Sequence, residues 1–289
     1  MQKGGGSITR KRIRRVLLVL LLLAALALWY SNCTISVEQY DFASASLPQG
    51  WDGARIVHLT DLHGKEFGRD NVRLLRSVEE AEPDLIVITG DIADSQSGLD
   101  FAPALLRGLA EIAPTYYVTG NHEWAAGYIN QLRPMLQDAG VVWLYNEYVP
   151  LTRGDDTIVL AGADDPNGTT EWAEVEAMTA SLRAQYGDTF WLLLAHRNNL
   201  FSQYYCRLGA DLTFSGHGHG GIWRLPFTDG LISPLREWFP SWTDGFYTCT
   251  EGDCDNAAVF VSRGLGNSPR VPRLFNRPEV AVVTLHTAP

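Results

Sequence analysis

The chain has 289 residues, of which 46% are apolar and 19% charged, which is the usage of an ordinary globular protein. This composition excludes a disordered chain, a collagen-like fibre and a multi-span membrane protein. The first fifteen residues contain six of the 23 basic residues and no acidic residue, which leaves 17 basic against 33 acidic residues in the remainder. We therefore expect no nucleic-acid partner, because so acidic a surface repels a phosphate backbone.

An uncharged apolar run, residues 16–30, directly follows the basic cluster. Its length and its aromatic end predict a membrane helix, with the basic flank in the cytoplasm and the rest of the chain outside. We divide the chain into a basic tail with signal anchor, residues 1–33, and a folded domain, residues 34–289. This organisation predicts a monomer that crosses the cell membrane once. The alternative is a secreted protein, because Ala25 and Ala27 fit a signal-peptide cleavage site.

Beyond the apolar run, the hydrophobic pattern predicts alternating strands and helices. The predicted strands are residues 34–40, 55–60, 85–89, 116–119, 141–144, 157–161, 190–194, 212–215 and 280–285. The predicted helices are residues 71–81, 101–112, 128–139 and 171–186. Several strands are continuous runs of Val, Ile and Leu, which is typical of strands buried on both faces. The pattern indicates one α/β domain without internal repeats.

Two features of the C-terminal third leave alternatives open. Cys249 and Cys254 lie between two apolar segments that predict hairpin arms, residues 245–248 and 257–261. We expect these cysteines to form a disulfide in an oxidising compartment, with two unpaired thiols as the alternative. The aromatic run at residues 238–242 is interpreted as core packing, with a lid or a membrane-facing patch as the alternative.

Polar residues of a restricted kind follow five of the predicted strands. They are Asp61 and His63, Asp91, Asn121 and His122, His196, and His217 and His219. The carboxyl ends of strands are where open α/β sheets form their sites. Five of the seven histidines lie at these positions, which isolated structural histidines do not explain. Carboxylate and amide oxygens with imidazole nitrogens suit divalent metals such as Mn²⁺, Fe or Zn²⁺.

These motifs, in this order, resemble those of the calcineurin-like metallophosphoesterases, in the signal-anchored bacterial branch. The resemblance extends from about residue 55 to the C-terminus. It implies an α/β fold in which a two-sheet β-sandwich is flanked by helices in four layers, after the N-terminal membrane helix. It also implies a phosphoric ester hydrolase that cleaves a phosphodiester or a phosphomonoester, the diester being favoured, through hydroxide activated between two divalent metal ions.

The resemblance assigns a role to each motif residue. It implies seven metal ligands at the strand ends: Asp61, His63, Asp91, Asn121, His196, His217 and His219. Asp91 bridges the two ions and counts as catalytic together with His122, the general acid for the leaving oxygen. Purple acid phosphatases have an iron-binding tyrosine three residues after the bridging aspartate, where this chain has Asp94. We therefore expect manganese in preference to iron or zinc.

The residues that contact substrate are less clearly marked. Arg197 and Asn198 follow a predicted ligand and are candidates for phosphate binding, with helix capping as the alternative. The anchor indicates a substrate at the membrane, such as a lipid-linked or cell-envelope phosphoester. The rival hypothesis is a catalytically silent metal-binding envelope protein that retains the fold. The presence of Asp91, Asn121 and His122 favours the enzyme.

Overall fold

An apolar helix, α1 (Gly5–Cys33), precedes the folded domain in the computed structural model. The structure describes residues 5–168, 171–225, 228–234, 236–249, 257–267 and 271–288, with side chains from residue 10 onward. The segment Arg10–Cys33 is long and apolar enough to cross a membrane, and 6% of its most apolar part is buried. Almost all of its apolar side chains are therefore exposed to the surroundings rather than packed on the domain.

The predicted elements of the domain are confirmed, with small shifts of their ends. The helices are α2 (Val72–Glu79), α3 (Ala102–Ile112), α4 (Asn121–Ala125), α5 (Ile129–Ala139) and α6 (Trp172–Tyr186). The strands are β1 (Ser36–Ser44), β2 (Arg55–Leu59), β3 (Leu85–Thr89), β4 (Thr115–Val118), β5 (Val142–Trp143), β6 (Glu147–Arg153), β7 (Asp156–Gly162), β8 (Trp191–Arg197), β9 (Leu212–Gly216), β10 (Trp223–Arg224), β11 (Gly230–Ile232), β12 (Gly245–Thr248), β13 (Ala258–Val261) and β14 (Glu279–Thr287). The short elements α4, β10 and β11 are additions to the prediction, and so is most of β6, of which the sequence indicated only a hairpin arm at Leu151 before β7.

The strands form two six-stranded mixed sheets and one small pair, β10–β11. The first sheet has the order β1-β14-β2-β3-β4-β5, in which β2 to β5 are parallel and β14 is antiparallel to β2. The second has the order β12-β13-β9-β8-β7-β6, in which the four central strands are parallel. The predicted edge strand β1 lies at the edge of the first sheet, beside β14.

Alternate residues along the strands build the layers. Ile56 of β2 points into the core between the two sheets, whereas its neighbour Val57 packs outward in the cluster that includes α2, α3 and α5. In the second sheet Leu192 points inward, and Leu193 points outward toward α6. The layers therefore follow the order helix, sheet, sheet, helix, which confirms the expected fold. Both faces of the central strands are covered, as their continuous apolar sequences predict.

The hairpin arms predicted near the cysteines are confirmed as β12 and β13, which pair antiparallel. Cys249 is buried in the outer core of the second sheet. Cys206 lies in the same cluster and is disulfide-bonded. Cys254 lies outside the described residues, so the pairing of Cys249 with Cys254 stays a prediction.

Candidate metal centre

The five polar motifs meet at the carboxyl ends of β2, β3, β4, β8 and β9, where they form two adjoining groups. The first group contains Asp61, His63 and His219. The Nε2 atom of His63 lies 3.0 Å from Nε2 of His219 and 3.7 Å from Oδ1 of Asp61. Nε2 of His219 lies 3.5 Å from the same Asp61 oxygen. Three potential ligand atoms thus converge on one small volume.

The second group contains Asp91, His196 and His217, with Asn121 beside them. Nε2 of His196 lies 3.3 Å from Oδ2 of Asp91, 3.1 Å from Oδ1 of Asn121 and 3.2 Å from Nδ1 of His217. The structure therefore brings together four of the seven predicted ligands.

Asp91 stands between the two groups. Its Oδ2 atom lies 3.7 Å from Nε2 of His63, in the first group, and 3.3 Å from Nε2 of His196, in the second. Its Oδ1 atom accepts a hydrogen bond from the backbone N–H of His122 at 2.9 Å, which fixes the rotation of the carboxylate. One buried carboxylate is thereby shared by both groups.

The backbone at these positions is unusual. Five of the predicted ligands adopt a positive φ: Asp61, His63, Asp91, His217 and His219, at φ values between 48° and 67°. Non-glycine residues rarely adopt this left-handed conformation, and such residues cluster at functional sites. The backbone of Gly120 also lies very close to Asp91. A Cβ at this position would be 2.2 Å from Oδ1 of Asp91, so the turn requires glycine here.

The hydrogen bonds around His196 show that the second group suits a cation. Its Nδ1–H donates to the backbone carbonyl of Thr89 at 2.7 Å, so the ring presents a lone pair at Nε2 once the proton on that nitrogen has left. That lone pair faces Oδ2 of Asp91 and Oδ1 of Asn121, which are acceptors as well. A divalent ion satisfies such a set of lone pairs, and the carbonyl on Nδ1 is the usual outer support of a metal-binding histidine.

The charges of the centre also favour a cation. Burial lowers the pKa of His196, but the Asp91 carboxylate outweighs burial and raises the pKa to about 10. Burial lowers the pKa of His217 to about 4, and the neighbouring His196 adds to this effect. Burial opposes ionisation of Asp61 too, yet His219 and His63 hold its pKa well below the usual range. Protons at this centre must leave when metal binds, so metal affinity rises with pH.

Glu123 supports the centre through hydrogen bonds to the backbone of its loops. Its side chain is fully buried, and its carboxylate accepts hydrogen bonds from the backbone N–H groups of Gly120 at 2.7 Å, Asp91 at 3.0 Å and Ile92 at 2.8 Å. The hydroxyl of Tyr128 donates to the same carboxylate at 3.0 Å. From the sequence, Glu123 was expected either to orient His122 or to form hydrogen bonds with the backbone. The structure shows that it ties the loops that carry Asp91 and Asn121.

Asp94 connects two histidines. Its Oδ1 atom lies 2.5 Å from Nδ1 of His63 and 3.1 Å from Nδ1 of His122. Burial opposes ionisation of Asp94, but its hydrogen bonds to His122 and His63 lower the pKa to about 2. The hydrogen bond to Asp94 also raises the pKa of His122. Asp94 thus orients both rings and keeps His122 protonated to higher pH.

The two candidates for substrate contact are engaged with the protein itself. Arg197 donates to both oxygens of the buried Asp165, from Nε at 2.7 Å and from Nη2 at 2.9 Å. Asn198 is buried and donates to the backbone carbonyl of Trp242 at 2.8 Å. Asn198 also lines a cleft that reaches His217. Their role in phosphate binding stays a prediction.

A contact that the sequence analysis did not predict joins the end of α1 to the centre. Asn32 accepts a hydrogen bond from the backbone N–H of Arg273 and donates to its carbonyl, both at 2.9 Å. The guanidinium of Arg273 is buried and lies 3.4 Å from both the backbone oxygen and Nδ1 of His219. One arginine therefore joins the helix end to a predicted ligand, although Asn32 and Arg273 are 241 residues apart.

The expectation of core packing for the aromatic run is wrong at its start and correct at its end. Trp238 and Phe239 are exposed, because they lie on a loop beyond the small strand pair. Trp242 is half-buried and packs edge-on against Phe201, with ring centroids 5.4 Å apart. This run lines a cleft of about 670 Å³ together with Asn198 and Asn199.

A layered α/β sandwich with such oxygen and imidazole donors at its strand ends defines a metal-dependent phosphoester hydrolase. The chain belongs to the calcineurin-like phosphoesterase family, whose sequence profile matches residues 54–221. This finding confirms the resemblance seen in the sequence and the expected class of enzyme.

Several proteins of this kind are similar over most of the chain. The uncharacterized metallophosphoesterase YkuE of Bacillus subtilis is 30% identical over 259 residues, which cover 87% of this chain and 85% of that protein. The transmembrane protein with metallophosphoesterase domain of Bos taurus is 31% identical over 256 residues, with coverages of 84% and 55%. Phosphodiesterase YaeI of Escherichia coli is 28% identical over 241 residues, with coverages of 80% and 82%.

Proposed function

We propose that this chain is a membrane-anchored phosphodiesterase that works with two divalent metal ions. The observation that carries this proposal is the position of Asp91, whose Oδ2 atom lies within 4 Å of a histidine from each donor group. Two donor groups that share one carboxylate match the arrangement of two-metal hydrolases, in which both ions contact one phosphate. A single-ion site has no need of a shared carboxylate.

Each group provides a separate set of ligands. Asp61, His63 and His219 would hold one ion, and Asn121, His196 and His217 would hold the other, with Asp91 available to both. When bound, the two ions supply Lewis acidity to the phosphate and an activated water as nucleophile. We propose manganese, since the donors are hard oxygens and imidazoles and Asp94 stands where a tyrosinate would favour ferric iron.

His122 supplies the proton for the leaving oxygen. Its ring is half-buried, lies 4.9 Å centroid to centroid from His63, and is held at Nδ1 by Asp94. With Nδ1 engaged, Nε2 carries the proton that is donated. The raised pKa of His122 keeps that proton in place near neutral pH. Asp94 is a positioning residue in this scheme.

The preference for a diester and for the membrane rests on the relatives and on α1. One relative is named a phosphodiesterase and another a transmembrane protein. We propose that residues 1–33 are a retained anchor and that residues 34–289 are a monomeric catalytic domain outside the cytoplasm. Its substrate is a lipid-linked or other envelope phosphoester. The basic residues before α1's apolar part favour this orientation.

The test uses the full chain in detergent, stripped with chelator and reloaded with Mn²⁺, Fe²⁺ or Zn²⁺. Hydrolysis of bis(p-nitrophenyl) phosphate is compared with that of p-nitrophenyl phosphate, and bound metal is counted by mass spectrometry. We expect two ions per chain, highest diester turnover with Mn²⁺, and loss of turnover in Asp91→Asn and His122→Ala. Asp138→Asn, on the exposed face of α5, is the matched control.

The alternatives give different results. Two bound ions without turnover of either ester would support the silent metal-binding protein. One bound ion with full turnover would refute the shared role of Asp91. Faster hydrolysis of the monoester would refute the preference for a diester.

A further inference from the structure

The exposed apolar residues of the folded domain are unevenly distributed. Four of them, called here the aromatic surface, are Leu225, Trp238, Phe239 and Phe275. Trp238 is 64% exposed, Phe239 75% and Phe275 53%. Soluble domains seldom leave large aromatic side chains this exposed together, and clusters of this kind mark contact surfaces.

Backbone pairing holds the aromatic surface together. Trp223 of β10 pairs with Leu274 on one side and with Ile232 of β11 on the other, and Ile232 pairs in turn with Trp238. Neighbouring strands are about 4.8 Å apart, so these three steps place residue 238 about 15 Å from residue 274. The backbone N–H of Arg224 donates to the carbonyl of Leu274, and Leu225 and Phe275 directly follow these two residues, so all four residues lie on chain segments joined by backbone pairing.

The end of α1 is bonded to one side of the aromatic surface. The hydroxyl of Ser31 accepts a hydrogen bond from the backbone N–H of Phe275 at 2.9 Å. Asn32 forms hydrogen bonds with both the backbone N–H and the backbone carbonyl of Arg273. The guanidinium of Arg277 lies 4.9 Å from the ring centroid of Tyr30. A helix that spans a bilayer leaves it at the headgroup region, where aromatic side chains are favoured. Phe275 must then lie at the depth of the headgroups.

The cleft beside the aromatic surface leads to the metal centre. Trp238 and Phe239 line its outer part together with Asn198. Asn198 and Glu237 also line a smaller cavity, of about 40 Å³, that reaches His217. Because the two cavities share these residues, an amphiphile with its phosphoester at the centre would extend toward the cleft and the aromatic surface.

From these contacts we propose that the aromatic surface docks on the bilayer interface and that the cleft admits a lipid whose headgroup carries the phosphoester. This inference rests on the proposed function, since it assumes that α1 stays in the membrane. It adds a second membrane contact to the anchor. It also specifies the face from which the substrate enters.

The test measures lipid contact directly and needs no turnover. The full chain is placed in nanodiscs of phosphatidylcholine and phosphatidylglycerol, with the photo-crosslinking residue benzoylphenylalanine at one position at a time. The positions are Phe239 and Phe275 on the aromatic surface, Ser241 in the cleft, and Val142 as the control. Val142 is exposed on β5, at the opposite edge of the first sheet from β1.

We expect lipid adducts from positions 239, 275 and 241 in several-fold excess over position 142. Adducts at 239 and 275 no more frequent than at 142 would overturn the docking surface, even if bis(p-nitrophenyl) phosphate is hydrolysed. Adducts at 239 and 275 without any at 241 would overturn entry of lipid into the cleft. Loss of all diester turnover with the adduct pattern intact would refute the proposed function and leave the docking surface standing.

Discussion

The buried carboxylate of Glu123 offers a sharp test of how the metal centre is held. Its two oxygens accept from three backbone N–H groups, Oε2 from Gly120 and Asp91 and Oε1 from Ile92. Glutamine has the same shape but only one oxygen. In Glu123→Gln the side-chain NH₂ must therefore face at least one backbone N–H. Both are hydrogen-bond donors, so no hydrogen bond can form between them.

The cost follows from these contacts. The best orientation keeps the amide oxygen on Gly120 and Asp91 and leaves the N–H of Ile92 unpaired, which costs about 1–3 kcal/mol for a buried donor. Hydrogen bonds to a charged acceptor are also about twice as strong as neutral ones, so the two remaining bonds weaken. Burial and the nearby Asp91 charge raise the pKa of Glu123, and neutralisation relieves part of this repulsion. We expect a net loss of about 1–2 kcal/mol in the free energy of unfolding.

The same change should reach the metal, because Glu123 fixes the loop that carries Asp91. Loss of such outer support lowers metal affinity by about 10–100-fold in known sites. Urea unfolding of the metal-free chain and calorimetric titration with Mn²⁺ measure the two effects separately. Glu82→Gln, which changes an exposed side chain, should alter neither. The reasoning is refuted if Glu123→Gln has the same free energy of unfolding and the same Mn²⁺ affinity as the parent protein.

Three further predictions concern other parts of the molecule. Gly120→Ala places a Cβ 2.2 Å from Oδ1 of Asp91 and should lower Mn²⁺ affinity in calorimetry; an unchanged affinity would show that the carboxylate can move aside. Asn32→Ala removes two hydrogen bonds to the backbone of Arg273 and should cost about 1–3 kcal/mol in urea unfolding, and equal midpoints would contradict this. Burial, and after it the charge of Glu279, raises the pKa of Asp244 to about 6. The stability that comes from keeping this carboxyl protonated is therefore fully present below pH 4 and is lost as the pH rises through 6. Asp244→Asn should therefore gain stability relative to the parent between pH 4 and pH 7, and parallel stability profiles would refute the assignment.

The order of strands and helices was predictable because the buried strands are continuous apolar runs. The runs ending before Asp61, Asp91 and His196 are each buried on both faces, and each ends at a turn with a polar residue. Within each sheet the grouping of the polar residues followed from the same pattern, because the carboxyl ends of parallel strands share one edge. The meeting of β2, β3 and β4 with β8 and β9 of the other sheet does not follow from any local pattern. The local sequence was sufficient for the prediction wherever one continuous segment contains both the strand and the polar residue that follows it.

Contacts between distant segments were outside the reach of the sequence. The pairing of β1 with β14 joins the two ends of the domain, and no local pattern specifies it. The same holds for Asn32 and Arg273, where neither side chain differs from an ordinary surface residue in its sequence context. The sequence indicated that Asp94 is either solvated or a support of the ligands rather than a ligand itself, and only the structure shows that the turn after Asp91 carries it to two histidines. The strands β10 and β11 are too short to produce a periodic signal.

If α1 is the proposed anchor, the hydrogen bonds at its end determine how stable a proteolytically released domain is. Cleavage after Ala27 would leave Ser31 and Asn32 on the released domain, together with their hydrogen bonds to Phe275 and Arg273. Cleavage a few residues further along would remove both side chains. The shorter fragment would then lose the contacts that join Arg273 to the end of α1, and its domain would be less stable than the longer one.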